Sequence, residues 1–291
     1  MKRLARRPWT LRESALLVLM LLVGIWTLRQ PLLDIIAIGM RDEEQSHIFL
    51  APFVAAWLLW LRRSRLRNIG FTPSLIGPGV VLMGWTLSWI GFERGIQLFW
   101  HGGAVLALLG IVLSMTGLGV VRQFLPAVAV LAFVLPVPGR IRQAIAIPLQ
   151  EQATVVTENM LQVMGVPVFR DGIVLIINDE AVAVGEACNG MRMVFALTLV
   201  VYAFAFGTPL RPGTRVLLLL ISPVLALLSN VIRLVPTSLF YGYSTVERAH
   251  AFHDLAGWVM LPILLMILLG MLRMFRWLEF PVTSYRLSSS H

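Results

Sequence analysis

A single cysteine, Cys188, occurs among the 291 residues, so neither an intrachain disulfide nor a multi-cysteine metal site can form. Charge is scarce as well: Asp, Glu, Lys and Arg make up 13% of the chain against 58% hydrophobic residues. That balance excludes a disordered chain, a disulfide scaffold and an ordinary soluble enzyme. There is no phosphate-binding loop and no dinucleotide fingerprint. Gly77, Gly79 and Gly84 fall in or beside an apolar run with no soluble strand before it, where glycine suits close helix packing. His47, His250, His253 and Glu247 are chemically adequate metal ligands, but no His-Glu-x-x-His or His-x-x-x-His signature joins them, so no metal and no cofactor is expected. Internal repeats and low-complexity tracts are also missing.

What is present is a succession of apolar runs, several approaching the roughly 20 residues that a spanning helix needs, at a mean hydropathy of +0.81. The start, MKRLARRPWTLRESALLVLMLLVGIWTLRQ, has the basic flank of a signal peptide, yet no small-x-small cleavage site follows Trp26. It reads as a retained first span. The expected fold is an all-α polytopic membrane protein with about eight transmembrane helices, near 14–38, 47–61, 75–91, 98–115, 120–136, 190–207, 215–235 and 256–275. Residues 1–280 form one integral membrane domain in this reading, and 281–291 a short polar tail.

The formal charge is +9, from 24 Lys+Arg against 15 Asp+Glu. The basic residues are grouped between apolar runs without the aromatic interleaving of a nucleic-acid surface, so nucleic acid is not an expected partner. They act as topology signals instead. Lys2, Arg3, Arg6, Arg7 and Arg12 precede the first span, Arg62, Arg63, Arg65 and Arg67 follow the second, Arg211 and Arg215 separate the sixth and seventh, and Arg273 and Arg276 close the last. With eight spans these groups share one side, which the positive-inside rule makes cytoplasmic, with both termini. The other side receives Asp42-Glu43-Glu44, the 137–189 connection and a 236–252 loop.

Within 137–189, Ile141, Ile145, Leu149, Val156, Met160 and Met164 recur at helical spacing, as on a surface helix that Pro148 bends or interrupts. Beyond it, β-branched runs separated by Asp171-Gly172 and Asn178-Asp179 predict a small two- or three-stranded ribbon before the sixth span.

Cys188 immediately precedes the sixth span, Arg233 stands near the outer end of the seventh, and His253 just before the eighth. Topology gives all three a similar depth on the extracytoplasmic side. A thiol attacks a carbonyl once a nearby histidine has taken its proton, and the same histidine returns that proton to a leaving amine. An arginine supports the thiolate or a developing oxyanion. Taken singly, each also has an ordinary reading, as a small apolar filler, a snorkelling anchor and a helix-start residue. Around them, Glu186, Asn189, Arg192, Asn230, His47 and His250 are candidates for substrate contact or support, with His250 the rival for the base.

The segments Glu186-Ala187-Cys188-Asn189-Gly190-Met191-Arg192, Asn230-Val231-Ile232-Arg233 and His253 with Gly257 resemble the motifs of the exosortase/archaeosortase family, integral membrane cysteine transpeptidases. Ser46-His47 through Pro52, and the Leu135-Pro136-Val137-Pro138 break before a surface helix, resemble the same layout. Asn189 stands where that family commonly has serine, and Met191 where it has leucine. The resemblance implies a bacterial inner-membrane thiol protease or transpeptidase, a cysteine-type endopeptidase, with Cys188 as nucleophile, His253 as acid/base and Arg233 as stabiliser. Its substrates would be secreted, membrane-anchored proteins bearing a C-terminal tripartite signal of Pro-Glu-Pro type. The acceptor would be water, an amine or a lipid-linked glycan of exopolysaccharide export. The alternative of another class is a non-catalytic transporter or assembly component of exopolysaccharide export.

Overall fold

A computed structural model describes residues 10–66, 73–183 and 190–277. The chain divides into two compact units, residues 1–138 and 139–291.

In the first unit, α1 (Leu11–Thr27) starts from a capping box: the Thr10 amide donates to Glu13 Oε2 at 2.7 Å and the Glu13 amide to Thr10 Oγ1 at 3.3 Å. These bonds satisfy amides that the first turn leaves open. The expected 14–38 span is broken at Leu28, and α2 (Arg29–Arg41) leaves at 72°. The cause is local, because Arg29 and Gln30 interrupt the apolar run and Pro31 opens a new helix without needing an amide. α2 buries Pro31, Ile35 and Gly39 along one stripe, as an amphipathic helix at an interface does.

Helix α3 (His47–Leu61) is followed by the short α4 (Arg63–Leu66), then by a hairpin of α5 (Ile76–Arg94) and α6 (Gln97–Thr116). The hairpin is close-packed on small residues. A methyl on Gly77, Gly84 or Gly91 would strike the backbone of α6, and one on Gly103 or Gly110 the backbone of α5. The seven-residue spacing keeps these glycines on facing stripes, which lets the backbones approach. Gly79 has nothing within 4 Å, so the packing role expected for it does not apply.

The expected fifth span, 120–136, is not one helix. It consists of α7 (Leu118–Gln123), α8 (Leu125–Ala129) and a 3-10 turn, Val130–Val134. Pro126 and Pro136 deny the chain the continuous amide ladder that a single span requires.

In the second unit, α9 (Gly139–Val163) runs unbroken through Pro148 and buries Ala146, Ala153, Thr154, Thr157 and Leu161 on one stripe. Of the two outcomes expected at Pro148, a bend or an interruption, the interruption does not occur. Strands β1 (Val168–Asp171), β2 (Val174–Ile177) and β3 (Glu180–Ala183) form an antiparallel meander in the order β1-β2-β3. Asn178 and Asp179 both take positive φ, 55° and 66°, at the second turn, the geometry that short hairpins favour. Leu175 and Ile177 of β2 join Ala153, Leu161, Val231, Leu234 and Val235 in one core, so the ribbon is docked on helices and does not stand alone.

Then come α10 (Gly190–Gly207), α11 (Pro212–Tyr243) and α12 (Val246–Trp277). The expected 236–252 loop is overturned: α11 runs through Pro236 to Tyr243, and only Ser244 and Thr245 separate it from α12.

By length and composition, two helices among the described residues, α6 and α11, suffice to cross a membrane, or up to four spans if each bent pair counts as one. The expected count of eight is not reached on this measure. Glycine, proline and hydroxyl residues dilute α5, while α3 is apolar but only 15 residues long.

Candidate active site

Two of the candidate residues meet in the second unit. Arg233 lies on α11 and is 7% exposed. Its Nη2 is 2.8 Å from His253 Nε2 and 3.3 Å from His253 Nδ1, and it also donates to the His253 carbonyl at 3.3 Å. A guanidinium carries donors only, so of the two ring nitrogens within reach only one bearing a lone pair can accept from it. Residues separated by 20 positions are brought together because α11 and α12 form an antiparallel hairpin. Ser229 beside Met260, and Phe240 stacked on Phe252 at 4.2 Å, continue the same register.

The long helices also change where this pair sits. Arg233 lies ten residues before Tyr243 and His253 seven after Val246. At a rise of about 1.5 Å per residue, both are on the order of 10–15 Å from the connecting turn, deeper in the hairpin than a loop-edge position.

Gly257 is one turn beyond His253. A Cβ there would stand 3.8 Å from Arg233 Nη2, ordinary contact, so the His253/Gly257 spacing presents an imidazole and a bare backbone to one guanidinium. Asn230, one turn before Arg233, is 5% exposed, and its Oδ1 has no hydrogen-bond partner among the described residues. It lines a small cleft with Gln150, Leu149 and Val194.

His250 is directed elsewhere. Its Nδ1 is 3.2 Å from the Tyr241 hydroxyl, and the two rings meet edge-on at 5.6 Å. Tyr241 was not singled out in the sequence, since its partnership depends on the two-residue turn between α11 and α12. Glu186, Cys188 and Asn189 lie outside the described residues, as does the side chain of Arg192, whose backbone is in the first turn of α10. No group of three His, Cys, Asp or Glu residues able to hold a metal occurs among the described residues.

His47 belongs to the first unit. It is 3% exposed, with Nδ1 3.2 Å from the Glu44 carbonyl oxygen. The same unit holds a pair that sequence reasoning missed. His101 on α6 is fully buried, with Nε2 2.9 Å from Asp34 Oδ2 on α2. The available signal was a histidine inside an apolar run, a costly placement that calls for a partner. Asp34→Ala strands this imidazole and frees α2 from α6, for an expected loss of about 1–3 kcal/mol. Thermal unfolding in one detergent measures it, and an unchanged midpoint would refute the role.

A model of the transmembrane exosortase family matches residues 39–270. The match takes in His47, Cys188, Asn230, Arg233, His250 and His253. Comparison with curated proteins and with solved structures gives no match.

Proposed function

The chain belongs to the transmembrane exosortase family, and from that premise we propose that it is a membrane-embedded cysteine protease or transpeptidase. Membership supports a membrane transpeptidase or protease role, and the apolar helices agree with an integral membrane protein. The substrate in this reading is a membrane-anchored protein with a C-terminal tripartite sorting signal of Pro-Glu-Pro type. Its own transmembrane helix presents the motif at a fixed depth, which supplies much of the proximity a soluble enzyme obtains from a cleft.

In the proposed reaction, Cys188 gives its proton to His253 and the thiolate attacks the scissile carbonyl. Collapse of the tetrahedral intermediate breaks the C–N bond, and His253 returns the proton to the departing amine. A thioester on Cys188 remains for water, an amine or a lipid-linked glycan acceptor. Arg233 holds the imidazole before substrate arrives and turns to the scissile carbonyl on binding, which frees the imidazole lone pair for the Cys188 proton and sets the guanidinium at the oxyanion, while Asn230 and the segment Glu186 to Arg192 contact substrate. The observation that carries the assignment is the 2.8 Å contact between Arg233 and His253, with His250 turned to Tyr241 instead.

Arg233→Lys tests the arginine's part. Lysine keeps the charge but loses the planar fork that spans both an imidazole and an oxygen, so turnover of a peptide-in-membrane substrate is expected to fall roughly 10²- to 10³-fold. Recovery of most of the activity by lysine would reduce Arg233 to a simple point charge.

The reading also places the α11–α12 turn, His253 and the 137–189 connection on the periplasmic side of the inner membrane, with both termini cytoplasmic. In a Cys188→Ala background, Ser244→Cys should react with a membrane-impermeant thiol reagent added to intact spheroplasts. Reaction only after the membrane is broken reverses the orientation.

A further inference from the structure

Helix α1 contains no buried residue. Toward its C-terminal end it packs on α6, where Gly24 abuts Ile111 and the following Leu28 packs with Ala104 and Ala107. Its N-terminal half forms one wall of a cleft of about 870 Å³, whose other walls are α3, α6, α7 and α8. Ser14, Val18, Ala56, Leu59, Thr116 and Val121 line it. The Thr116 hydroxyl donates to the Val112 carbonyl at 2.7 Å within its own helix, so the walls offer an almost wholly apolar surface. A cleft of this size is in the range that holds a small-molecule ligand.

One end of this cleft is basic. The contacts of α1 with α6 place the N-terminus of α1 beside the C-terminus of α6. Arg65 donates to the Gln123 carbonyl at 3.4 Å, bringing the end of α3 and α4 to the same place. Arg12, Arg63, Arg65 and Arg122 therefore gather at that end from three segments, α1, α4 and α7, all of them exposed. Arg63 lies 4.3 Å over the Trp60 ring. Among the described residues Glu13 is the one acid at this end, and its carboxylate is held by the capping box.

We propose that this cleft binds an anionic glycerophospholipid, its acyl chains between α1 and the α3–α6–α8 wall and its phosphate among Arg12, Arg63, Arg65 and Arg122. An apolar slot that opens beside clustered guanidiniums at a membrane face is complementary to such a lipid in both its parts. A zwitterionic lipid satisfies the slot but gains little from the four charges.

The test uses the full chain, delipidated in detergent and examined by native mass spectrometry with added phosphatidylglycerol or phosphatidylcholine. One retained phosphatidylglycerol per chain is expected, in preference to phosphatidylcholine. In the Arg65→Gln/Arg122→Gln variant, the preference should drop roughly 30-fold, the fold-change equivalent of about 1 kcal/mol for each of the two arginines near the headgroup. Ala56→Trp, at an exposed wall position, should abolish retention of both lipids by filling the slot. Equal retention of the two lipids, or a preference that survives loss of both arginines, overturns the proposal. So does a lipid-free dimer, which would give the cleft to a second copy of the chain.

Discussion

Cys188→Ala should leave a tripartite-signal substrate wholly at precursor size while the protein still inserts and accumulates in the membrane. Cys188→Ser should do nearly the same, because a hydroxyl is a much weaker nucleophile at neutral pH than a thiol whose proton a histidine accepts. The expected loss is on the order of 10⁴-fold or more, the scale seen when a nucleophile is removed from a set of residues acting as a unit. With one cysteine in the chain, no second thiol takes over. The measurement is the ratio of processed to precursor substrate, on purified protein and with membrane abundance equalised. Normal processing by Cys188→Ala would end the cysteine mechanism outright.

The second large effect separates two histidines three residues apart. His253→Ala should cut turnover by roughly 10²- to 10⁴-fold, the usual contribution of a positioned acid/base. His250→Ala should stay within a few-fold of wild type, because what it loses is a contact with the Tyr241 hydroxyl. His253→Ala also deprives Arg233 Nη2 of its ring partner, so Arg233→Lys and His253→Ala should combine less than additively. An enzyme killed by His250→Ala and spared by His253→Ala would transfer the base to His250 and make the Arg233 contact incidental.

Much of the architecture was readable from pattern. The ribbon between α9 and α10 announced itself through β-branched runs and the pairs Asp171-Gly172 and Asn178-Asp179, because turn chemistry acts over two or three residues. The break after Leu28 falls at Arg29-Gln30-Pro31, inside the span expected over 14–38. The membrane class followed from composition alone. Where pattern and fold part, nonlocal packing overrules local signals. Pro148 suggested a bend or an interruption and 236–252 a loop, yet α9 runs through Pro148 and α11 through Pro236. Each is packed along its length against neighbouring elements of its unit, so the freed carbonyls cost less than a broken helix would. In the opposite direction, 120–136 looked continuous in hydropathy but folds as three short pieces.

The candidate site divides in the same way. Cys188, Arg233 and His253 were identifiable as residue types in recognisable segments, Asn230 by its one-turn spacing from Arg233, and Gly257 by the resemblance of the His253 segment to the family motif. Sequence offered no physical reason to prefer His253 over His250, since both belong to one polar stretch. Their separation depends on helical rotation, which turns residues three apart by about 300° around the axis, and on the tight Ser244–Thr245 turn that sets the register of α12 against α11. His101 and Asp34 lie 67 residues apart, with neither in a motif, and only the packing of α2 across α6 made them a pair. Residue chemistry and the membrane setting were thus determined by the sequence itself, because each depends on near neighbours and composition. Which imidazole faces the arginine was decided by tertiary structure, because contact across a helical hairpin depends on register, and register is a property of the packed pair.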